Sequence, residues 1–227
     1  MNGGSVAIVI PTLNAAPHLP ALLHDLELGQ PLIAALIISD GGSTDGTVEI
    51  AAKAGATIIT GPPGRGGQLR RGALAAPAGW LWLLHADSRL PTDWPNAVEA
   101  CCSSALLTTA WYGKLRFNSR DPRARLLEAG VALRCALARL PYGDQGLLIH
   151  HTLLEEIGGI PDLPLMEDVV LARRLRGKLR QMSMTVTTSA AAYDRDGWLR
   201  RAGLNLWRLG RFQCGANAAK LAEDYRR

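Results

Sequence analysis

The 227-residue sequence is long enough for one large α/β domain or two small ones, and 48% of its residues are hydrophobic, which excludes a disordered chain. Its formal net charge of +5 favours phosphates, anionic membrane surfaces or nucleic acid as partners. The sequence has no zinc-finger spacing, RNP-like aromatic motif or basic zipper, so we do not expect nucleic acid to be the partner. No apolar run approaches the ~20 residues that span a bilayer.

The first residues and the cysteines indicate a cytoplasmic protein. Residues 1–5 include no basic residue, and the apolar run at 6–10 is too short for the core of a signal peptide. The four cysteines, of which Cys101 and Cys102 are adjacent, show neither CxxC nor metal-ligand spacing. We interpret them as reduced thiols, which is typical of the cytoplasm.

Strand and helix patterns alternate over the first ninety residues. Short apolar runs predict strands at 6–10, 36–39, 57–59 and 80–84. Helices are predicted from the loop at 12–14 to about residue 28, after the turn at 40–47, and over 68–76. The Gly-rich patch at 61–67 interrupts this region, and we interpret it as a functional loop. The alternation is typical of a parallel, right-handed α/β sheet.

Beyond residue 87 the pattern becomes mixed. Helices are predicted over 96–104, 124–140, 152–157 and 166–176, and strands over 108–117, 145–149 and 182–187. The segment 197–225 reads as helical, with an interruption near Gly215. We therefore predict an α/β fold with a Rossmann-like, mostly parallel sheet flanked by helices over residues 1–190. A helical extension over 191–227 is expected to pack on or beside it.

A polar triplet, His85-Ala86-Asp87, follows the apolar run at 81–84. It stands at the predicted carboxyl end of the fourth strand. In open α/β sheets ligands bind at that edge, and a carboxylate there can hold a divalent cation that in turn holds phosphates. The alternative is a simple turn, because Asp87 and Ser88 ahead of Pro91 could cap a loop.

Further acidic residues stand at the ends of other elements. Asp40 follows an apolar strand as Asp87 does, so we expect these two carboxylates to face one cleft. Glu167 and Asp168 stand at the start of a predicted helix. The alternative interpretation of this pair is compensation of the helix dipole, which contributes a few tenths to ~1 kcal/mol.

Four motifs occur in an order that resembles the family 2 glycosyltransferases. They are Ile10-Pro11-Thr12-Leu13-Asn14, Asp40-Gly41-Gly42-Ser43-Thr44-Asp45-Gly46-Thr47, His85-Ala86-Asp87 and Glu167-Asp168. The sequence is similar to a small bacterial branch whose motifs are matched by Tyr142-Gly143-Asp144-Gln145 and Pro164-Leu165-Met166-Glu167-Asp168. The resemblance covers about residues 5–180. It implies a GT-A fold and a nucleotide-sugar donor, and a UDP-sugar is the expected donor because members of this family commonly use one.

The resemblance also implies roles for the matched residues. Asp87 would bind the divalent cation, Mn²⁺ or Mg²⁺, that bridges the donor diphosphate, and Asp168 would be the general base. Asp40 would accept a hydrogen bond from the nucleobase. The residues expected to bind the nucleotide sugar are Pro11, Thr12, Asn14, Asp40, Arg65, Gln68, Arg71, His85 and Ala86. The residues expected to contact the acceptor are Asp144, Gln145 and Glu167.

The sequence departs from the family pattern at two positions. The family often has a second aspartate after the one that Asp40 matches, and here that position is Gly41. The usual Asp-x-Asp is His85-Ala86-Asp87, so the metal site has one carboxylate fewer. His85 could donate to the ribose or a phosphate, or it could be a hydrogen-bonded histidine at a strand end with no contact to substrate.

The implied reaction is sugar transfer with inversion at the anomeric carbon. A cation stabilises charge on the leaving diphosphate, and one carboxylate removes the proton of the acceptor hydroxyl. A sugar-nucleotide nucleotidylyltransferase is one alternative, but that class needs a Gly-rich phosphate loop directly after the first strand, where this sequence has residues 11–15 without glycine. A non-catalytic nucleotide-sugar-binding protein is the other, and the retention of Asp168 argues against it.

The C-terminal extension predicts an amphipathic helix over residues 198–212. Its apolar face would carry Trp198, Leu199, Ala202, Leu206, Leu209 and Phe212, and Arg200, Arg201, Arg208 and Arg211 would lie opposite. In the interpretation we favour, the apolar face packs on the catalytic domain, and the solvated arginines could still help to dock an anionic surface or acceptor. In the other, the helix lies on the cytoplasmic membrane face and brings the enzyme to a lipid-linked acceptor.

Overall fold

One mixed sheet organises the computed structural model, which describes residues 5–104 and 106–226. Within those residues the sheet has seven strands in the order β3-β2-β1-β4-β6-β5-β7. The strands are β1 (Val6–Thr12), β2 (Ile33–Asp40), β3 (Thr57–Thr60), β4 (Trp80–Leu83), β5 (Ala110–Phe117), β6 (Leu147–His150) and β7 (Leu179–Thr188). All neighbouring pairs are parallel except those of β6, which runs antiparallel to β4 and β5. The predicted mostly parallel α/β sheet is therefore confirmed.

Helices flank the sheet and connect its strands. They are α1 (Leu19–Glu27), α2 (Thr47–Lys53), α3 (Arg65–Ala75), α4 (Trp94–Cys102), α5 (Pro122–Ala138), α6 (His151–Glu156), α7 (Glu167–Arg174), α8 (Ala191–Asp196), α9 (Trp198–Gln213) and α10 (Ala218–Arg226). No helix in the described ranges is both long and apolar enough to cross a membrane. Residues 1–4, which were part of the argument against a signal peptide, lie outside the described residues. The division into two units at residue 190 stays a prediction.

The central strands β1, as far as Pro11, and β4 are apolar because both faces of the sheet are covered. Alternate residues of β4 enter different cores: Trp82 packs on one face and Leu81 and Leu83 on the other. On the first face the Trp82 and Trp94 rings lie 5.2 Å apart. The buried apolar run thus fixes the end of β4, and with it the position of the polar triplet that follows.

The Gly-rich patch at 61–67 was predicted to be a loop, but only part of it is one. Its last residues form the first turn of α3, which begins at Arg65. A side chain at Gly66 would collide with the carbonyl oxygens of Pro161 and Leu163. These glycines therefore allow the segment before α7 to approach the start of α3, which brings Arg65 close to α7.

The orientation predicted for the C-terminal helix is only partly correct, since Arg200 is exposed as expected but other residues are not placed as predicted. Trp198 is buried, with its ring 5.4 Å from Phe117 of β5 and 5.1 Å from Tyr193 of α8. This anchor turns α9 so that the Arg201 side chain is only 16% exposed, whereas Leu199 and Leu206 are 68% and 69% exposed. The helix presents part of its basic sector to the domain and part of its apolar face to solvent.

Candidate functional site

Two cavities meet at the carboxyl edge of the parallel strands, and both are lined by Arg65, His85 and Asp87. The first, which we call the donor-side cavity, has a volume of about 360 Å³. Of the nine residues expected to bind the nucleotide sugar, it is lined by Pro11, Thr12, Asn14, Arg65, Gln68, His85 and Ala86. The sequence therefore located most of the residues that surround this cavity.

The loops after β1 and β2 are joined by side-chain hydrogen bonds. Asn14 has a left-handed backbone with φ of 51°, and its Oδ1 accepts from the backbone N–H of Thr44 at 2.9 Å. The N–H of Asn14 donates in turn to the Ser43 hydroxyl at 2.8 Å. Asparagine tolerates this conformation better than most residues do. These bonds fix one wall of the donor-side cavity.

Asp40 joins the same two loops through hydrogen bonds to its carboxylate. Its carboxylate accepts from the Thr12 hydroxyl (2.9 Å), the Gly42 N–H (2.8 Å), and the N–H (2.8 Å) and hydroxyl (2.5 Å) of Ser43. Burial opposes ionisation, but these hydrogen bonds outweigh it and hold the pKa of Asp40 below its ordinary value of 3.8. All four acceptor positions of the carboxylate are used within the chain. Its contact with a nucleobase stays a prediction.

Asp40→Asn should lower the free energy of unfolding by about 1–3 kcal/mol at pH 7, because the amide cannot accept all four hydrogen bonds and leaves buried donors unpaired. Since the folded pKa lies below 3.8, this stabilisation is present above pH ~4 and is lost as the pH falls through the folded pKa. Urea unfolding between pH 7 and pH 3 checks this. The difference in the free energy of unfolding between wild type and Asp40→Asn should decrease as the pH falls. The exposed control Asp93→Asn should differ little from wild type at any pH.

Gln68 and Arg71 serve the loops more than the cavity. The Gln68 amide is buried and donates to the carbonyl oxygens of Thr12 (2.7 Å) and Ser39 (2.9 Å), while its Oε1 accepts from the Gly64 N–H. Arg71 donates to the Pro62 carbonyl at 2.9 Å and does not line the donor-side cavity. Both side chains position the backbone that surrounds the expected phosphates.

Asp87 lies where the two cavities join. Its Oδ2 accepts from the Thr188 hydroxyl at 3.1 Å. Nearby, burial and the charge of Arg65 lower the pKa of His85 from 6.5 to about 4, so the imidazole is neutral at pH 7. The buried Nε2 of His85 has no hydrogen-bond partner among the described residues. This orphaned nitrogen favours the interpretation of His85 as a ligand-facing group.

The donor set suits a cation that is shared with a substrate. No group of three or more His, Cys, Asp or Glu side chains that could hold a metal occurs within residues 5–104 and 106–226. Asp87 supplies one carboxylate, and Mg²⁺ in proteins is commonly held by one or two carboxylates with substrate phosphates and water. The residues present therefore fit a metal–diphosphate complex rather than a preformed metal cage.

The second cavity, which we call the acceptor-side cavity, has a volume of about 270 Å³ and contains Asp168 in its wall. Asp168 Oδ2 accepts from Arg65 Nη2 at 3.1 Å and from the Gly143 N–H at 3.0 Å. Its Oδ1 accepts from the Val169 N–H at 2.8 Å, so the helix-start interaction is present too. Burial raises the pKa of Asp168, but Arg65 and the Gly143 N–H outweigh it and leave the pKa below its ordinary value. The group is an ionised carboxylate at pH 7.

Glu167 lies behind Asp168 and is fully buried. Its Oε1 accepts a hydrogen bond from Arg65 Nε, and burial raises the pKa of its carboxyl although Arg65 opposes this. Glu167 does not line the acceptor-side cavity. The structure thus places it as the anchor of Arg65, and the acceptor contact expected from the sequence stays a prediction.

Asp144 and Gln145 have different surroundings although they are adjacent. Asp144 lines the acceptor-side cavity, its Oδ1 is buried without a partner in the described part of the chain, and burial raises its pKa to about 6. Gln145 is buried, donates to the Gly113 carbonyl at 3.0 Å and accepts from the Tyr142 N–H. Asp144 therefore faces the cavity, and Gln145 supports the turn that carries it.

Sequence reasoning missed the residues that α8 and α9 contribute. The acceptor-side cavity is also lined by Tyr193, Arg201, Asn205, Arg208 and Leu209. Arg201, Asn205 and Arg208 follow one another at spacings of four and three residues along α9, so they lie on one face of the helix. We call these three residues the polar stripe. The stripe was visible in the sequence, and the favoured interpretation allowed its arginines to dock an anionic acceptor, but it placed them in solvent and not in the wall of a cavity.

Comparison with known proteins finds sequence similarity to glycosyltransferases. The family model described as Glycosyl transferase family 2 matches residues 7–105. An uncharacterized glycosyltransferase of Mycobacterium tuberculosis is 35% identical over 111 residues, which are 48% of this chain and 49% of that protein. The succinoglycan biosynthesis protein ExoA of Rhizobium meliloti is 56% identical over 48 residues, 21% of this chain and 14% of that one. The chain is thus aligned with about half the length of the mycobacterial relatives it matches.

Solved structures with the same fold include the glucosyl-3-phosphoglycerate synthase of Mycobacterium tuberculosis. Its complex with Mn²⁺, UDP-glucose and phosphoglyceric acid superposes with a TM-score of 0.57 at 19% identity, covering 82% of this chain and 71% of that one. Its complex with Mg²⁺ and UDP gives a TM-score of 0.59 over similar coverage. This likeness establishes the fold, which is of the GT-A type. Residues 7–105, which are less than half of this chain, match the model of glycosyl transferase family 2.

Proposed function

We propose that the protein transfers a sugar from a nucleotide-sugar donor to an acceptor hydroxyl, with the help of a divalent cation and with inversion at the anomeric carbon. The observation that carries this proposal is the meeting of two cavities at Arg65, His85 and Asp87. One is surrounded by the family's nucleotide motifs, and the other contains an ionised carboxylate. A donor and an acceptor held in these cavities would have their reacting groups at the junction.

The donor proposed is a UDP-sugar. The fold is shared with a synthase solved with UDP-glucose and Mn²⁺, and the donor-side cavity is lined by the loop after β1 and the start of α3. Asp87 would hold the cation, Mn²⁺ or Mg²⁺, with the diphosphate. The cation would neutralise charge that develops on the leaving diphosphate. Arg65 lines the same cavity and would add its own positive charge there.

Asp168 is the proposed general base. It is ionised and lines the cavity that would hold the acceptor, so it can accept the proton of the attacking hydroxyl. With one base and no enzyme nucleophile, a single in-line displacement follows, and such a displacement inverts the anomeric carbon. Asp144, whose Oδ1 is buried without a partner among the described residues, would accept a hydrogen bond from another acceptor hydroxyl.

A thermal-shift screen of nucleotide sugars with and without Mn²⁺ or Mg²⁺ tests the donor, because a ligand that binds the native state raises the melting temperature. We expect a UDP-sugar with a cation to give the largest rise. Pyrophosphate release from a nucleoside triphosphate and a sugar phosphate would instead support a nucleotidylyltransferase. Binding of a nucleotide sugar without transfer or hydrolysis would support a non-catalytic binding protein.

The outward face of α9 supports contact with the cytoplasmic membrane surface and, through it, access to a lipid-linked acceptor. Leu206 and Trp207 are 69% and 53% exposed, and the Arg211 guanidinium lies 4.7 Å from the Trp207 ring. The neighbouring helix α5 exposes Leu133 and Leu137 as well. Exposed leucines with tryptophan and arginine are typical of helices that lie in the headgroup region.

A flotation assay checks this contact. Wild type should float with vesicles that contain anionic phospholipid at low salt, and Leu206→Glu with Trp207→Glu should reduce the floated fraction at least severalfold by charging the apolar face. Leu74→Glu is the matched control, since Leu74 is 74% exposed on α3. Failure of wild type to float, or an equal loss in the control, would rule out this surface.

A further inference from the structure

We propose that the acceptor carries a phosphate group, which Arg201 and Arg208 of α9 bind in the acceptor-side cavity while an acceptor hydroxyl faces Asp168. This inference rests on the proposed function and deepens it by naming the chemical class of the acceptor. It concerns a helix that lies outside the segment matched by the family model. The contacts of α9 carry it.

The polar stripe of α9 is held in a defined orientation. Arg201 donates through Nη1 to Asp196 at 2.5 Å, and its guanidinium lies 5.7 Å from the centre of the Tyr193 ring. Arg208 donates through Nη2 to the Asp224 carbonyl at 2.9 Å and through Nη1 to Asn205 Oδ1 at 3.4 Å. Both arginines line the same cavity. The neighbours from α8 and α10 therefore hold two guanidinium groups on one face of α9, where the carboxylate of Asp196 balances part of the charge of Arg201.

The negatively charged and positively charged residues that line the acceptor-side cavity come from different secondary-structure elements. Asp87 follows β4, Asp144 lies in the turn before β6, and Asp168 begins α7, whereas α9 contributes only cationic, neutral polar and apolar side chains to the lining. A guanidinium group matches the oxygens of a phosphate through paired hydrogen bonds. A phosphorylated acceptor would therefore be oriented, with its phosphate at α9 and its hydroxyl toward the carboxylates.

The cavity also has polar atoms that a hydroxyl-bearing molecule would satisfy. Among the described residues, His85 Nε2, Tyr142 Oη and Asp144 Oδ1 are buried and lack hydrogen-bond partners, and all three residues line this cavity. Buried polar groups in proteins are nearly always paired with protein, water or ligand atoms. The junction thus suits the hydroxyl-bearing part of the acceptor, and α9 suits its phosphate.

Calorimetric titration tests the proposal on the full chain, with UDP and Mn²⁺ saturating the donor-side cavity. The probes are glucose 6-phosphate against glucose, and dihexanoyl phosphatidic acid against dihexanoylglycerol, which separate a soluble sugar phosphate from a lipid phosphate.

Arg201→Gln and Arg208→Gln should weaken phosphate binding by about ten- to a hundredfold. Asn205→Asp should weaken it through repulsion, which provides a third variant if an arginine variant fails to fold. Arg200→Gln, at an exposed position of the same helix, should bind within about twofold of wild type.

The outcomes separate this inference from the proposed function. Preferential binding of either phosphate probe, lost in the stripe variants and kept in Arg200→Gln, supports the inference and identifies the source of the phosphate. The inference is overturned if wild type prefers neither phosphate probe, if the stripe variants bind as wild type does, or if Arg200→Gln loses as much. If the inference is overturned in one of these ways but UDP with Mn²⁺ still binds normally, the proposed function is not contradicted. Failure to bind UDP contradicts that function, and the phosphate titrations without nucleotide then decide the inference separately.

Discussion

Asp87→Ala should abolish sugar transfer and remove the effect of Mn²⁺ or Mg²⁺ on nucleotide binding. Asp87 is the carboxylate at the junction of the two cavities that we assign to the cation. Without it, the cation and the diphosphate would lose their shared protein ligand, and UDP should bind equally well with the cation and with a chelator. Titration of UDP in both conditions measures this directly.

The exposed residue Asp93 provides the matched control for that experiment. Its side chain makes no capping hydrogen bond to the start of α4, so Asp93→Ala removes the same charge without a structural role. The control should keep both transfer and the cation-dependent gain in UDP affinity. If Asp87→Ala also keeps the gain, Asp87 is not the metal ligand, and its bond with Thr188 would mark a structural loop.

Asp168→Asn should lower the turnover rate by ~10²–10⁴-fold while the affinity for the donor stays nearly unchanged. Asparagine keeps the shape and one acceptor oxygen, so it can still accept hydrogen bonds where Arg65 and Gly143 donate, but it cannot take a proton at neutral pH. Steady-state kinetics together with UDP titration separates the two effects. Asp162→Asn, at an exposed position in the segment before α7, is the control and should retain wild-type kinetics.

A variant that keeps most of its turnover would return Asp168 to the helix-start interpretation, which its hydrogen bond from the Val169 N–H already supports in part. Asp144 would then be the next candidate for the base. Burial raises its pKa to about 6, so it is mostly ionised at pH 7 and is a stronger base than an ordinary aspartate. The same kinetic comparison on Asp144→Asn would decide between the two carboxylates.

The sheet could be predicted from the sequence because its signals are local. The apolar run at 81–84 has no polar residue to place on a solvent face, so it fits a strand that is buried on both sides, and the position of Asp87 follows from it. The loop motif that contains Asn14 likewise falls at a strand end. These features depend on a few neighbouring residues and on the general location of ligands in parallel sheets.

The roles of Gln68, Gln145 and Glu167 could not be predicted, because each depends on contacts between distant parts of the chain. Gln68 binds the backbones of two strand ends, and Glu167 anchors an arginine that lies about a hundred residues earlier. The direction that α9 faces is set by Trp198 against Phe117, which a helical projection of the sequence alone does not contain. Helical periodicity defines the faces of a helix but not their partners.

A crystal structure with UDP and Mn²⁺ tests the central claim most directly, since the anomalous signal of manganese locates the cation without assumption. We expect the uridine in the donor-side cavity beside Pro11 and Asn14, and the manganese bound by both the Asp87 carboxylate and the diphosphate. Asp168 should face the remaining space of the acceptor-side cavity. Manganese bound away from Asp87, or UDP bound outside the donor-side cavity, would contradict the assignment of this site.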